Sequence, residues 1–200
     1  CTKHFCGAEH RTIKPIFLIN GRMCKMEKAP VLFILGGLPA CGKTSVARVL
    51  AGKIGAFHLR IDTLEQALVR AGMCTMGEIE GKGYQIACEI AKDQLKNGIS
   101  VIADCVNPLE LTRGWWRLAA ESAGCKTAEI EFICSDQNLH RRRAETRAND
   151  IDGLRLPDWN AIQARQYEAW NNPHLILDMA KLSLDEAAER IADYIKTAAG

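Results

Sequence analysis

Residues 31–52 read VLFILGGLPACGKTSVARVLAG, an apolar run that enters a glycine-rich loop and leaves it as a helix. Gly37-Leu38-Pro39-Ala40-Cys41-Gly42-Lys43-Thr44 satisfies G-x-x-x-x-G-K-[ST] at each fixed position, and Ser45 follows in the same first helical turn. The glycines let the chain turn with its N–H groups facing inward at a helix N-terminus, which makes an anion-binding nest. Lys43 has the reach and charge for the β- and γ-phosphates, and the Thr44 hydroxyl suits Mg²⁺. With the glycine, lysine and Ser/Thr content of this chain, chance gives such a match in roughly half a per cent of cases. The five apolar residues Val31–Leu35 before the loop, and Val46, Val49 and Leu50 after it, make chance rarer still. The segment therefore demands a β-strand–loop–helix unit at the centre of an α/β fold and implies a nucleoside triphosphate as ligand.

The remainder of the chain is compatible with that demand. Two hundred residues with 48% hydrophobic content suit one domain with a sizeable core. The net charge of +2 is divided unevenly: residues 1–30 carry six Lys/Arg against two Glu, and the rest carries 20 basic against 22 acidic side chains. A net-acidic body argues against general affinity for nucleic acid. Residues 1–29 read as a flexible basic extension, with the domain starting near Met26 and running over 30–200. The nine cysteines lie at 1, 6, 24, 41, 74, 88, 105, 125 and 134, without a C-x-x-C pair or zinc spacing. Free thiols in a reducing cytoplasm are the expected state. Cys1, His4, Cys6 and His10 have no folded frame to make them a metal cluster. No apolar run approaches the length of a membrane span.

From residue 31 strand and helix patterns alternate. Strands are expected at Val31–Leu35, Phe57–Ile61, Ser100–Val106, Thr127–Cys134 and His174–Met179. Helices are expected from the loop to about Gly52, then over Thr63–Ala71, Tyr84–Lys96, Pro108–Ala123, Gln137–Ala148, Asp158–Trp170 and Leu184–Thr197. The stretch Gly72–Gly83, with four glycines, reads as mobile. Five strands separated by helices give a three-layer α/β/α, doubly wound, mainly parallel sheet.

The motifs GGLPACGKTSVA, RID at 60–62, VIADCVNP at 101–108 with LTRGWWR after it, CSDQNLHRRRAETRAND at 134–150, GLRLPDW at 153–159 and HLILD at 174–178 carry a resemblance. The chain resembles the P-loop small-molecule kinases: shikimate and gluconate kinases, chloramphenicol phosphotransferase, zeta toxins and the kinase domain of polynucleotide kinases. Within that group it is most similar to bacterial predicted kinases often labelled AAA-family ATPases. The resemblance covers nearly everything from residue 30 onward and implies the P-loop nucleoside triphosphate hydrolase fold with strand order 2-3-1-4-5. It also implies transfer of the γ-phosphate of ATP, with Mg²⁺, to a hydroxyl of a small molecule.

Site residues follow from the resemblance. Asp62 falls at the end of the second strand, 19 residues after Lys43, where kinases of this group place the acceptor of the attacking hydroxyl's proton. Asp62 with Glu65 three residues later also reads as a helix cap. Arg60 shares its strand face and is a substrate-site candidate. Asp104 closes the third strand, where a carboxylate would hold Mg²⁺ through water together with Thr44; a turn role beside Asn107-Pro108 is the alternative. Asn107 and Arg113 are expected to face the acceptor. Of Trp115 and Trp116, one is expected in the core.

Lids in this group grip the transferring phosphoryl with an R-x-x-x-R pair, here Arg143 and Arg147, within a lid at about 137–157. Arg141 or Arg142 is the candidate for stacking on adenine, and a solvated charged face is the bland alternative. Two other function classes share the nucleotide loop: a P-loop ATPase of switch or motor type, and a nucleic-acid 5′-hydroxyl kinase. The sequence leaves the acceptor open, and the oligomeric state open between monomer and homodimer.

Overall fold

The computed structural model describes residues 18–19, 22–23, 29–79 and 81–198. Apart from an antiparallel ladder between Leu18–Ile19 and Arg22–Met23, the basic extension and its Cys/His group lie outside the described residues.

The apolar run becomes β1 (Val31–Gly36), buried from Leu32 onward. A strand with no polar face must be covered on both sides. Its alternation shows how: Leu32 and Ile34 enter one core cluster, while Phe33 and Leu35 enter the other. Four more strands complete the sheet: β2 (Phe57–Arg60), β3 (Val101–Asp104), β4 (Lys126–Ile133) and β5 (Leu175–Asp178). All pairings are parallel, in the order β2-β3-β1-β4-β5, which is the 2-3-1-4-5 order implied by the resemblance.

Among the described residues, seven helices flank the sheet: α1 (Lys43–Ile54), α2 (Ile61–Arg70), α3 (Lys82–Lys96), α4 (Glu110–Ser122), α5 (Gln137–Thr146), α6 (Trp159–Gln163) and α7 (Leu184–Ala198). Val46, Ala47 and Leu50 of α1 and Ala187, Ala188 and Ile191 of α7 cover one face. Ala87, Ala91 and Leu95 of α3 and Trp116, Ala119 and Ala120 of α4 cover the other. Trp116 is fully buried and Trp115 partly so, as a pair one residue apart on a helix requires. The chain leaves β1 for one side of the sheet and β3 for the other. The resulting crevice at the carboxyl ends of these strands is where the nucleotide loop emerges.

Three elements depart from the pattern. Strand β2 stops at Arg60 and α2 starts at Ile61, so Asp62 lies in the helix's first turn. The 72–83 stretch contains a 3₁₀ turn at Met76–Glu78, closed by reciprocal hydrogen bonds between Thr75 and Glu78. The helix expected over Asp158–Trp170 ends after Gln163. Beyond it the backbone finds partners elsewhere: Glu168 N–H donates to Pro108 O, and the carbonyls of Glu168 and Ala169 accept from the Arg113 guanidinium.

Candidate active site

The loop between β1 and α1 depends on its glycines. Gly37 has φ 129° and Gly42 φ 93°, and a side chain on Gly37 would collide with the Phe132 carbonyl. Gly37 N–H donates to Val106 O at 3.0 Å, tying the loop to the end of β3. No carboxylate occupies the first turn of α1, so its N-terminal amides keep their positive end for an anion. Lys43 is 7% exposed, and its Nζ donates to the carbonyls of Gly37 (2.7 Å) and Leu38 (2.8 Å) within its own loop. Burial pulls the Lys43 pKa below its ordinary value, and the neighbouring Cys41, Asp104 and Asp62 oppose that shift. His140 on α5 steadies the loop from outside: its Nε2 lies 2.8 Å from Pro39 O and 3.5 Å from Cys41 Sγ. Its ring stands edge-on to Trp159 at 5.1 Å. Sequence reasoning assigned His140 no role, because the loop it braces is about 100 residues away.

Two carboxylates close the crevice beyond Lys43. The register pairs Arg60 with Asp104 across β2 and β3. Asp104 is 3% exposed, and its Oδ2 lies 3.0 Å from His58 Nε2. His58 was not singled out from sequence, since only the β2–β3 register reveals the pair. Asp62 stands over the crevice from α2, with half its side chain open to solvent. Desolvation raises its pKa most; Arg60, Lys43 and Arg147 draw it down, and the Asp104 charge pushes it up. The N-cap of α2 is Arg60, without a side-chain cap bond, so the cap reading of Asp62 does not hold. Lys43, Asp62 and Asp104 thus face one crevice, near enough to influence one another's charge.

The arginines separate where the pattern paired them. Helix α5 ends at Thr146, and Arg147 takes extended backbone angles, φ −63° and ψ 135°. Arg147 is the C-cap of α5: its N–H still donates to Arg143 O at 3.1 Å, but the two guanidinium groups take different partners. Arg143 donates to Met179 O at 3.0 Å, at the far end of β5. Arg147 turns toward Pro157 O at 3.4 Å, close enough to Asp62 to act on its charge. Arg141 pairs with Glu145 at 2.8 Å on the exposed side of α5. Past Arg147 the chain is fastened by Asp150, which accepts from Arg48 on α1 and from Arg60 at 2.8 and 3.0 Å. These two arginines hold the Asp150 carboxyl down to about 2. Arg60, expected at the substrate, is thereby committed mainly to Asp150.

Asn107 and Arg113, expected to face the acceptor, are instead fully buried in the frame. Asn107 donates from Nδ2 to Leu35 O at 2.6 Å, accepts from Trp116 Nε1 at 3.2 Å, and gives its N–H to Tyr84 Oη at 3.2 Å. Arg113 donates to the carbonyls of Glu168 and Ala169, both at 3.0 Å, pairs with Glu110 at 3.2 Å and lies against the Trp170 ring. A charge so placed orders the 165–174 segment and is closed to ligands. Arg113→Met should lower stability by about 3 kcal/mol or more, because the carbonyls lose their donors. Chemical denaturation reads that loss, and nucleotide affinity per folded molecule should stay at the wild-type value.

Comparison with known proteins gives a consistent picture. A family model described as an AAA domain matches residues 32–169. The adenylyl-sulfate kinase of Bacillus pumilus (strain SAFR-032) is 25% identical over 173 residues, spanning 81% of this chain and 83% of that protein. The structure of the Mycobacterium tuberculosis APS kinase CysC in complex with AMPPNP and APS superposes with a TM-score of 0.63 at 22% identity, covering 84% of this chain and 98% of that one. A gluconokinase from Sinorhizobium meliloti 1021 gives a TM-score of 0.59 at 16% identity, over 84% of this chain and 95% of that one. At these identities the likeness to both structures is one of fold, that of the P-loop kinases.

Proposed function

The chain belongs to the AAA domain family, and from that premise we propose that it is an ATP-dependent phosphotransferase that moves the γ-phosphoryl group to a hydroxyl of a small molecule. The observation that carries this reading is the convergence of Lys43, Asp62 and Asp104 on the crevice above the nucleotide loop. A switch or motor needs the loop and a buried carboxylate, but not a second carboxylate standing half-open beyond them.

The roles follow from the positions. The amides of residues 37–45 and the Lys43 ammonium take the phosphates, Lys43 exchanging its loop carbonyls for phosphate oxygens. Asp62 accepts the proton of the attacking hydroxyl. Arg147, beside Asp62, balances charge on the transferring group, and its planar fork suits phosphate oxygens. Arg141, exposed and held only by Glu145, is free to exchange that partner for adenine.

The donors also suit Mg²⁺. Among the described residues no group of three or more His, Cys, Asp or Glu is assembled, and Mg²⁺ takes few protein ligands beside phosphates. Thr44 and, through water, Asp104 would hold the ion, which supplies charge neutralisation on the β- and γ-phosphates. His58 orients the Asp104 carboxylate for that task.

Residues 137–157 are the proposed lid, with Asp150 as its latch onto Arg48 and Arg60. Asp150→Asn should raise amide exchange across 147–157 in the free protein and lower the protection gained there with ATP and Mg²⁺. Unchanged exchange would remove the latch. Because the Asp150 pKa is depressed, the latch is intact above the unfolded value near 4 and weakens as pH falls toward about 2.

The substrate reading is tested by incubating the protein with ATP, Mg²⁺ and a panel of hydroxylated compounds, with products resolved by mass. The panel contains neutral sugars and polyols, amino sugars, gluconate and adenylyl sulfate. The last two are included because of the names of the relatives. A phosphorylated organic product supports the proposal, and its absence across the panel counts against it.

A further inference from the structure

Glu65 lies on α2 one helical turn beyond Asp62, so both carboxylates project from the same side of that helix. It is half-buried, yet among the described residues its carboxyl has no hydrogen-bond donor, with only the longer-range charge of Arg165 to offset that of Asp62. Its place is nonetheless built. Gly83 of α3 packs directly on it, and a Cβ at that position would collide with the Glu65 carboxyl, so the glycine gives the side chain its space. Tyr84 follows on the same helix, near enough to feel the charge of both Glu65 and Asp62.

We propose that Glu65 is a specificity-determining residue that binds a second hydroxyl of a neutral polyhydroxylated acceptor, about 5 Å along α2 from the hydroxyl engaged by Asp62. The assignment rests on the phosphotransferase reading above and gives that reading a substrate class.

The surroundings decide between the ligand chemistries. A carboxyl without a protein donor asks for one from the ligand, which leaves a hydroxyl or an ammonium. An ammonium would lose its hydration at a half-buried carboxyl where burial outweighs every nearby charge, and Arg165 would repel it while Asp62 attracts it. An anionic group placed there would meet both carboxylates. A neutral hydroxyl meets neither penalty. Burial, the Asp62 charge and the opposing Arg165 together leave the Glu65 carboxyl at about 7. Near neutrality it can therefore donate as well as accept, which matches the dual capacity of a hydroxyl.

The test uses the full chain, ATP, Mg²⁺ and the panel above, with Glu65→Leu, Glu65→Gln and wild type compared on each accepted compound. Wild type should phosphorylate neutral polyols in preference to their amino and anionic counterparts. Glu65→Leu, which keeps the packing but no polar atom, should raise KM for the polyol about tenfold with kcat within a few-fold. Glu65→Gln keeps a donor and an acceptor and should restore KM to within about threefold of wild type. Melting temperatures close to wild type show that the substitutions act on binding. Preferred transfer to an anionic or amino compound overturns the assignment and leaves the phosphotransferase reading standing. An unchanged KM in Glu65→Leu, or failure of Glu65→Gln to restore it, overturns it equally. If wild type transfers to no compound at all, both readings fall together.

Discussion

Lys43→Ala should abolish productive use of ATP, lowering kcat/KM by about a thousandfold or more. The ammonium is buried at the foot of the crevice and already bound to loop carbonyls, so it is in place before the nucleotide arrives. An alanine leaves the β- and γ-phosphates facing Asp62 and Asp104 without the nearest compensating charge. The loss should not come from unfolding. Desolvation makes the folded state a poor host for this charge, so removing it should leave Tm near or above the wild-type value. ADP formation and thermal unfolding of the same preparation separate the two effects. Wild-type turnover in Lys43→Ala would remove the nucleotide loop from the mechanism.

The second large effect belongs to Asp62→Asn, which keeps the shape and removes the base. A fall in kcat of about two orders of magnitude is expected. The stability change has a definite sign. The Asp62 pKa is raised in the folded protein, so the folded state binds this proton more tightly than the unfolded state does. Stability therefore falls as pH rises from the unfolded value, near 4, through the folded one. The amide removes that penalty, and Tm at neutral pH should be equal or higher. A lower Tm with turnover per folded molecule intact would return Asp62 to a purely structural role. In the wild type, kcat should decline on the acid side as Asp62 becomes protonated.

What could be read from sequence divides along the distance over which each feature is determined. The nucleotide loop was legible because its strand, glycines, Lys43 and helix are consecutive and each answers to local geometry. The strand order came from resemblance, since parallel pairing leaves no local trace. Asp62 was singled out but set at the end of a strand and weighed as a cap; one residue of boundary decides that placement, and α2 starts at Ile61. Asn107 and Arg113 were set toward the acceptor on the resemblance, and the structure buries both in the frame instead. Their partners are carbonyls at residues 35, 168 and 169, which adjacent sequence cannot reveal. Arg143 and Arg147 keep their i,i+4 relation through the Arg147 N–H bond to Arg143 O, yet their guanidinium groups turn to the carbonyls of Met179 and Pro157, partners that spacing alone cannot reveal. Asp150 was read only as the last residue of the 134–150 motif, while its partners Arg48 and Arg60 lie 102 and 90 residues away. Glu65 was noticed only as a capping partner; its contact with Gly83 required the packing of α2 on α3.

The destination of the γ-phosphoryl group distinguishes a phosphotransferase from an ATPase. The most direct test follows γ-labelled ATP with Mg²⁺ in the wild-type protein, with and without each polyol, and separates organic phosphate from inorganic phosphate. Label should pass into organic phosphate when an acceptor is present, and Asp62→Asn should suppress that product. Label appearing only as inorganic phosphate, at a rate indifferent to every acceptor and to Asp62→Asn, would make the chain an ATPase and rule out the phosphotransferase reading.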